Sequence, residues 1–419
     1  MLKVNITTRI TPKKREEFRL SYEGVIEQSS AELKELAESG ESIIGYIYPH
    51  VPLELFLAHG FTPSLVRALP GVTSGFEESL QTFACSYIRN LYSQRANGQF
   101  LTLAGLLFPG NTCDALQNLG DVWKVRFPDD RVFRLTYPVT RYSQDESTTK
   151  FLAEELRMLS KTLSTTFNRP FLTESYDRAI ELVQDFRNCA QFLYSARVVN
   201  PKIISYSEVI RLVRNFLTAP TLSSVSELKA AAKSVQKTSN ELGIFDTIET
   251  VKNSILNGDY SRVNLPEGLE TPRIVIAGGM VEPQAIAAII NGIPDFSDSA
   301  IVLDILSFGF KTVFTVPPSY SDDYFLAMAK SILTAPGEPT HEGLSYRMNA
   351  MKGLLKNLSI QGLIVCEQSF CDPDQFEAPS IEKAACELDV KTLRLPLDSE
   401  LSDRGRIETR IQSFLETME

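Results

Sequence analysis

The chain has 419 residues, 43% hydrophobic and 22% charged, which suits a globular protein with more than one core. Its formal net charge of −10 leaves no basic surplus to displace counterions from phosphate, which excludes nucleic-acid binding as its main role. No apolar run is long enough to span a membrane, and the start, Met1–Thr7, lacks the apolar core of a signal peptide, so a cytoplasmic protein is expected.

Residues 1–40 are dense in charge at helical spacing and read as an amphipathic helical lead-in. Ser42–Tyr48 is an apolar run that predicts a buried strand ending before Pro49. Pro52–Gly60 predicts a short helix, with Pro in its first turn and Gly just past its end. Strand followed by helix is the opening of an α/β layer. Apolar side chains at Phe76, Leu80, Phe83, Tyr87 and Leu91 predict a helix over 74–95. Leu101–Phe108 predicts another buried strand, which Gly110-Asn111-Thr112 turns into a helix starting at Cys113.

Residues 147–264 change character, with helical stretches at 149–167, 173–193, 205–217 and 225–242. Pro266–Pro272 reads as a linker. Short apolar runs then return at 273–279, 300–304, 362–366 and 392–395, the mark of parallel strands buried on both faces. The expected fold class is α/β: two small parallel-sheet domains of flavodoxin/Rossmann-like type, at 41–146 and 265–419, with an additional helical layer at 147–264.

The six cysteines form no compact paired framework. In a reducing compartment such residues serve as core, as metal ligands or as nucleophiles. Cys371, in Ser-Phe-Cys-Asp-Pro, lies where a strand turns into a helix, with Asp372 suited to the N-cap and Pro373 to the first turn. That is the carboxyl end of a parallel strand, where open α/β sheets bind ligands. Cys113 has the same address, and the helix N-terminus favours negative charge on a thiol. Cys85, in Phe-Ala-Cys-Ser-Tyr, falls mid-helix and needs the fold to bring it close. Three thiolates from three distant segments suffice to hold an iron–sulfur cube by three corners, leaving one iron open to a substrate. The competing reading, three buried core cysteines, stands beside it. No C-x2-C pair supports a structural zinc or an ordinary ferredoxin site. Cys189 and Cys386 fall in helical patterns and read as core. Cys366 reads as sheet packing or as an additional ligand.

At these residues the chain resembles the iron–sulfur subunits of the 2-hydroxyacyl-CoA dehydratase and benzoyl-CoA reductase family. The likeness runs in order from about residue 43 to the end: Gly45; Pro52-x-Glu54-Leu55; His59-Gly60-Phe61-Thr62-Pro63; Cys85 with Arg89; Cys113-Asp114; Ala277-Gly278-Gly279; Pro336-Gly337-Glu338-Pro339; and Arg347. It is densest near the end, at Gly362-Leu363-Ile364 through Phe370-Cys371-Asp372-Pro373, Leu397-Asp398, and Thr409-Arg410-Ile411 with Phe414-Leu415-Glu416. The resemblance implies a 4Fe–4S cluster held by Cys85, Cys113 and Cys371, a CoA thioester substrate, a paired homologous subunit (hetero- or homodimer), and a separate ATP-dependent iron–sulfur activator that delivers one electron. In the dehydratases that electron makes a ketyl radical at the thioester carbonyl, which expels the 2-hydroxyl, and the electron is then returned. In the reductases electrons stay in the product. The chain itself carries no GxxxxGK[ST] phosphate loop, in keeping with ATP being handled elsewhere. It departs from the family at Ser307-Phe308-Gly309-Phe310-Lys311, where a Gly-Ser-Arg-like stretch is usual, and in the bulk of Tyr48-Pro49-His50.

The resemblance also marks Glu54 as a substrate-pocket acid or base, and His50, two residues before Pro52, reads as a proton donor beside the cluster; a helix-dipole acid and a lone surface or turn histidine are their plainer readings. Arg89 reads either as a partner for cluster or phosphate charge or as a solvated helix residue. Arg410 reads as half of a structural salt bridge, and Gly278-Gly279 as a tight turn. Three functions follow: a dehydratase subunit; a subunit of a benzoyl-CoA-reductase-type or double-cluster reductase, which would recruit Cys366 or Cys189; and a non-catalytic partner subunit.

Overall fold

The computed structural model describes residues 31, 33–99, 101, 103–140, 146–266, 272–293 and 296–418. Most of the lead-in expected over 1–40, and residues 267–271 of the expected linker, lie outside the described residues.

The chain begins with β1 (Ile43–Tyr46), α1 (Leu53–Ala58), β2 (Thr62–Leu65), α2 (Ser86–Ala96), β3 (Gly105–Gly110), α3 (Asp114–Arg126) and β4 (Val132–Thr136). The four strands form one sheet, all parallel, in the order β2-β1-β3-β4. Five helices follow: α4 (Glu146–Phe167), α5 (Thr173–Val199), α6 (Tyr206–Thr218), α7 (Leu222–Glu241) and α8 (Phe245–Asn257). The last part holds β5 (Ile274–Gly278), α9 (Pro283–Asn291), β6 (Ile301–Ile305), α10 (Tyr324–Thr334), α11 (Leu344–Asn357), β7 (Gly362–Gln368), α12 (Asp372–Cys386), β8 (Lys391–Leu397) and α13 (Arg404–Glu416). Its strands form a second all-parallel sheet in the order β6-β5-β7-β8.

The α/β expectation therefore holds, and the two sheets share one winding: second, first, third, fourth. In each, the order reverses beside the third strand, and a crevice opens there at the carboxyl ends. Cys113 lies three residues beyond the end of β3 and Cys371 three residues beyond the end of β7. The chain thus presents a cysteine at the same topological point of each sheet.

Several local expectations need correction. The helix expected over 74–95 begins only at Ser86, and Cys85 is its N-cap rather than a mid-helix residue. Residues 76–84 are turns instead, and Phe83 is 66% exposed rather than core. Cys371 itself occupies the N-cap expected of Asp372. Cys386 is exposed at the end of α12, not core, and Cys189 is half-buried on α5. Arg410 donates to the Arg394 carbonyl rather than to a carboxylate. The strands β2 and β4 and the helix α8 carried no local signal. β2 reads Thr-Pro-Ser-Leu, a composition tolerated because it is an edge strand, where Pro63 forfeits no essential ladder bond.

The helical layer is fastened to the second sheet by a buried carboxylate. Asp304 on β6 is fully buried and accepts from Tyr194 Oη at 2.5 Å and Tyr206 Oη at 2.8 Å, from α5 and α6. It also accepts from the backbone N–H groups of Leu306 and Phe310, both at 3.0 Å. These bonds hold the turn 307–311, and a Cβ on Gly309 would run into Asp304 Oδ1. Asp304→Ala strands those four donors. We expect it to cost about 2–3 kcal/mol, read as a lower urea midpoint at unchanged slope; a loss below about 0.5 kcal/mol would show that other contacts hold the turn.

Candidate functional site

Cys85, Cys113 and Cys371 line one cavity of about 480 Å³. Each is the N-cap of a separate helix: Cys85 of α2, Cys113 of α3 and Cys371 of α12. Three helix N-termini therefore face the cavity, and their unpaired N–H groups favour anionic sulfur. Cys113 Sγ accepts from Leu116 N at 3.5 Å. The Cys85 and Cys371 thiols share a hydrogen bond. That bond draws the Cys85 thiol down against its burial and, with burial, pushes the Cys371 thiol up. Burial pushes the Cys113 thiol up to about 12, with the Leu116 N–H pulling the other way.

A polar clasp between the two sheets brings Cys85 to Cys371. Ser86 Oγ donates to Gln368 Oε1 at 2.6 Å, Ser399 Oγ donates to the same oxygen at 2.7 Å, and Gln368 Nε2 donates to Met280 O at 2.7 Å. Ser86 N also donates to Ser369 O at 3.2 Å. Sequence reasoning missed these residues, since Ser86 and Gln368 are separated by 282 positions and neither carries a pattern. The turn before Cys371 is tight: Phe370 has φ 60°, a left-handed conformation that a bulky residue adopts only when its surroundings enforce it. Arg89 lies 5.8 Å from the Phe370 ring centre and 5.1 Å from that of Phe76, and it pairs with Asp398 at 3.6 Å. It braces this turn.

Glu338 closes the cavity from another side. It is buried, takes the Lys311 ammonium at 2.9 Å and the Ser307 hydroxyl at 2.9 Å, and lies 3.4 Å from His50 Nε2. Burial pushes its carboxyl up, but Lys311 and His50 outweigh it and hold the group well below the usual carboxylate range. Asp374, buried beside Cys371, is pushed by burial up to about 7. A Cβ on Gly279 would lie 2.5 Å from Asp374 Oδ1, so a side chain there would displace that carboxylate.

The structure brings the three cysteines together and places the other expected residues behind them. His50 does not line the cavity itself but pairs with Glu338 and packs edge-on against Tyr48, which both do, and it is buried, not a surface turn residue. Glu54 does not line the cysteine cavity. It is 1% exposed, stands 3.6 Å from Arg187 Nη1, and shares a separate void of about 20 Å³ with His50. Cys366 is buried in β7. Among the described residues, no three His, Cys, Asp or Glu side chains close on a single metal ion. Three cysteine sulfurs at three helix N-termini around one cavity make a soft donor set in an anion-favouring field, which fits an iron–sulfur group.

No helix among the described residues is long and apolar enough to cross a membrane. Residues 49–418 match the family described as 2-hydroxyglutaryl-CoA dehydratase, D-component. The chain is 20% identical over 386 residues to the (R)-phenyllactyl-CoA dehydratase beta subunit of Clostridium sporogenes, covering 92% of this chain and 94% of that one. It is 23% identical over 402 residues to the lactoyl-CoA dehydratase beta subunit of Anaerotignum propionicum, covering 91% and 93%. It is 25% identical over 223 residues to a benzoyl-CoA reductase subunit of Thauera aromatica, covering 51% and 56%. With the family matched over nearly its whole length, the chain belongs to the 2-hydroxyglutaryl-CoA dehydratase D-component family of enzyme subunits.

Proposed function

We propose that this chain is the iron–sulfur subunit of a cytoplasmic 2-hydroxyacyl-CoA dehydratase, with Cys85, Cys113 and Cys371 holding a 4Fe–4S cluster by three corners. The observation that carries this reading is the meeting of three thiols, each at a helix N-terminus and drawn from two sheets, in one cavity. The cluster, when bound, supplies a one-electron carrier and a Lewis-acidic iron. The protein's own part is electrostatic and positional. The three helix N-termini stabilise thiolate charge and favour an added electron. Glu338, held ionised by Lys311 and His50, acts as a fixed acceptor that orients donors in the cavity rather than as an acid. The Tyr48 hydroxyl, on the cavity wall, is fixed 3.2 Å from Thr340 Oγ1. The substrate would be a 2-hydroxyacyl-CoA thioester, the partner a homologous subunit, and the electron source a separate ATP-dependent iron–sulfur activator.

A reductase role is the second reading, favoured by the likeness to a benzoyl-CoA reductase subunit. The double-cluster form gains no support, because Cys189, Cys366 and Cys386 do not line the cysteine cavity. The test is iron and acid-labile sulfide on anaerobically purified protein, followed by turnover of a 2-hydroxyacyl-CoA with its activator. About four irons per chain and dehydration without net consumption of reductant are expected. Reductant consumed in proportion to product would transfer the chain to the reductases, and an iron-free protein would leave it a non-catalytic partner.

A further inference from the structure

A second cavity, of about 290 Å³, abuts the cysteine cavity; Pro339, Arg347, Asp374 and Glu377 line both. It opens between the end of α8 and the face of α11. Its body is apolar: Leu256, Tyr260, Phe310, Phe314, Met351 and Leu354. Phe310, Phe314, Met351 and Leu354 are each buried, so the wall is built by the core and is not a surface dimple. Gly353, inside α11, costs helix stability but admits the Tyr260 ring, which a Cβ there would meet at 3.2 Å. The volume is at the small end of ligand pockets and holds an aryl or branched-alkyl group, not a whole coenzyme.

The charges at the shared wall decide what kind of group fits. Two cations touch this cavity near that wall, and both are engaged. Lys311 pairs with Glu338 at 2.9 Å and donates to Gly278 O at 3.1 Å. Arg347 Nε binds Glu377 Oε1 at 2.7 Å, while its Nη1 donates to His341 O at 2.8 Å and Glu342 O at 3.0 Å. Asp374 adds a further carboxyl group to the same wall, where it shares the Lys311 charge with Glu338. An acyl carboxylate entering here would be desolvated, would compete with Glu377 and Glu338 for cations already paired with them, and would face the carboxyl groups of Asp374 and Glu377. An uncharged apolar group would exchange water for a ready-made hydrophobic wall.

We propose that this second cavity is an acyl pocket that selects thioesters with an uncharged, bulky apolar acyl group, aryl or branched-alkyl, and rejects dicarboxylic ones. The inference rests on the thioester reading above and adds the class of acyl group. A thioester whose carbonyl lies in the cysteine cavity lays its acyl end across the wall formed by Arg347, Asp374 and Glu377.

The test uses unreactive thioesters that lack the 2-hydroxyl, so that binding is read without turnover. Binding of 3-phenylpropanoyl-CoA, acetyl-CoA and glutaryl-CoA to the anaerobically purified full chain, with any subunit that co-purifies, is measured by calorimetry. Ala350 is exposed on α11 and lines the pocket mouth, so Ala350→Trp fills the cavity from outside without disturbing the core or the cysteines. Phenylpropanoyl-CoA is expected to bind wild type about tenfold or more tighter than glutaryl-CoA. Ala350→Trp is expected to erase about tenfold of that affinity while leaving acetyl-CoA within about twofold. Equal affinities for all three thioesters, or a variant that binds phenylpropanoyl-CoA as wild type does, would overturn the acyl pocket and leave the dehydratase reading standing. If iron-loaded wild type binds none of the thioesters, both fall together.

Discussion

Alanine at Cys85, Cys113 or Cys371 is expected to abolish iron binding while the fold survives. Each cysteine lies at an N-cap and none sits within a strand, so truncation removes a thiol and little packing. Cys113→Ala should cost most stability of the three, because its sulfur also accepts the Leu116 N–H, and losing a cap typically costs about 0.5–2 kcal/mol. Circular dichroism and urea unfolding separate that loss from the loss of metal. Cys189→Ser and Cys386→Ser are the controls, since neither residue lines the cavity, and both are expected to keep wild-type iron and its EPR signal. Full iron in all three alanine variants would return these cysteines to the core.

The largest effect on stability is expected at Lys311. Lys311→Met leaves Glu338 buried with its strongest partner gone, and breaking a buried pair in this way typically costs about 3–5 kcal/mol. The double variant Lys311→Met/Glu338→Gln removes the stranded charge as well and should recover part of the loss, the coupling a double-mutant cycle measures. The pH dependence has a fixed sign. Glu338 is held below its ordinary value of 4.5, so at moderately acid pH the unfolded chain binds the extra proton. Its contribution is complete above that value and drains away as pH falls toward the depressed folded value. Urea midpoints of wild type should therefore drop on acidification, and the part of that drop due to Glu338 should shrink in Lys311→Met. A single variant costing less than about 1 kcal/mol would mean that water or His50 already compensates the charge.

Cys113 and Cys371 were legible in the sequence because their chemistry is local. An apolar run, a turn and a helix start fix a carboxyl-end address whatever the rest of the chain does. Cys85 had no such local address, and its setting differs from the one its neighbours' spacing implies. Phe76, Leu80 and Phe83 fall at helical spacing, yet the chain there is made of turns, with Phe83 pointing to solvent. Glu338 and Lys311 were both singled out, one within Pro-Gly-Glu-Pro and one as a departure from the family, but nothing local shows that they meet. Their pairing depends on the turn that Asp304 holds, and that turn is braced by tyrosines about a hundred positions away in the chain. The acyl pocket was invisible for the same reason: α8, which supplies one wall, gave no distinct signal of its own.

The placement of the cysteines also bears on how the protein is made. Cys85 and Cys113 belong to the first sheet and leave the ribosome well before Cys371, which reaches its position only when β7 is seated between β5 and β8. A nascent chain therefore carries two reduced thiols at helix starts with nothing to complete the set. On the proposed iron–sulfur reading, loading of the cluster would wait for translation to finish and for the two halves to dock. On the same reading, truncation products that fold the first sheet would hold no cluster, and would offer oxygen or stray metal the two thiols that the finished protein keeps inside its cleft.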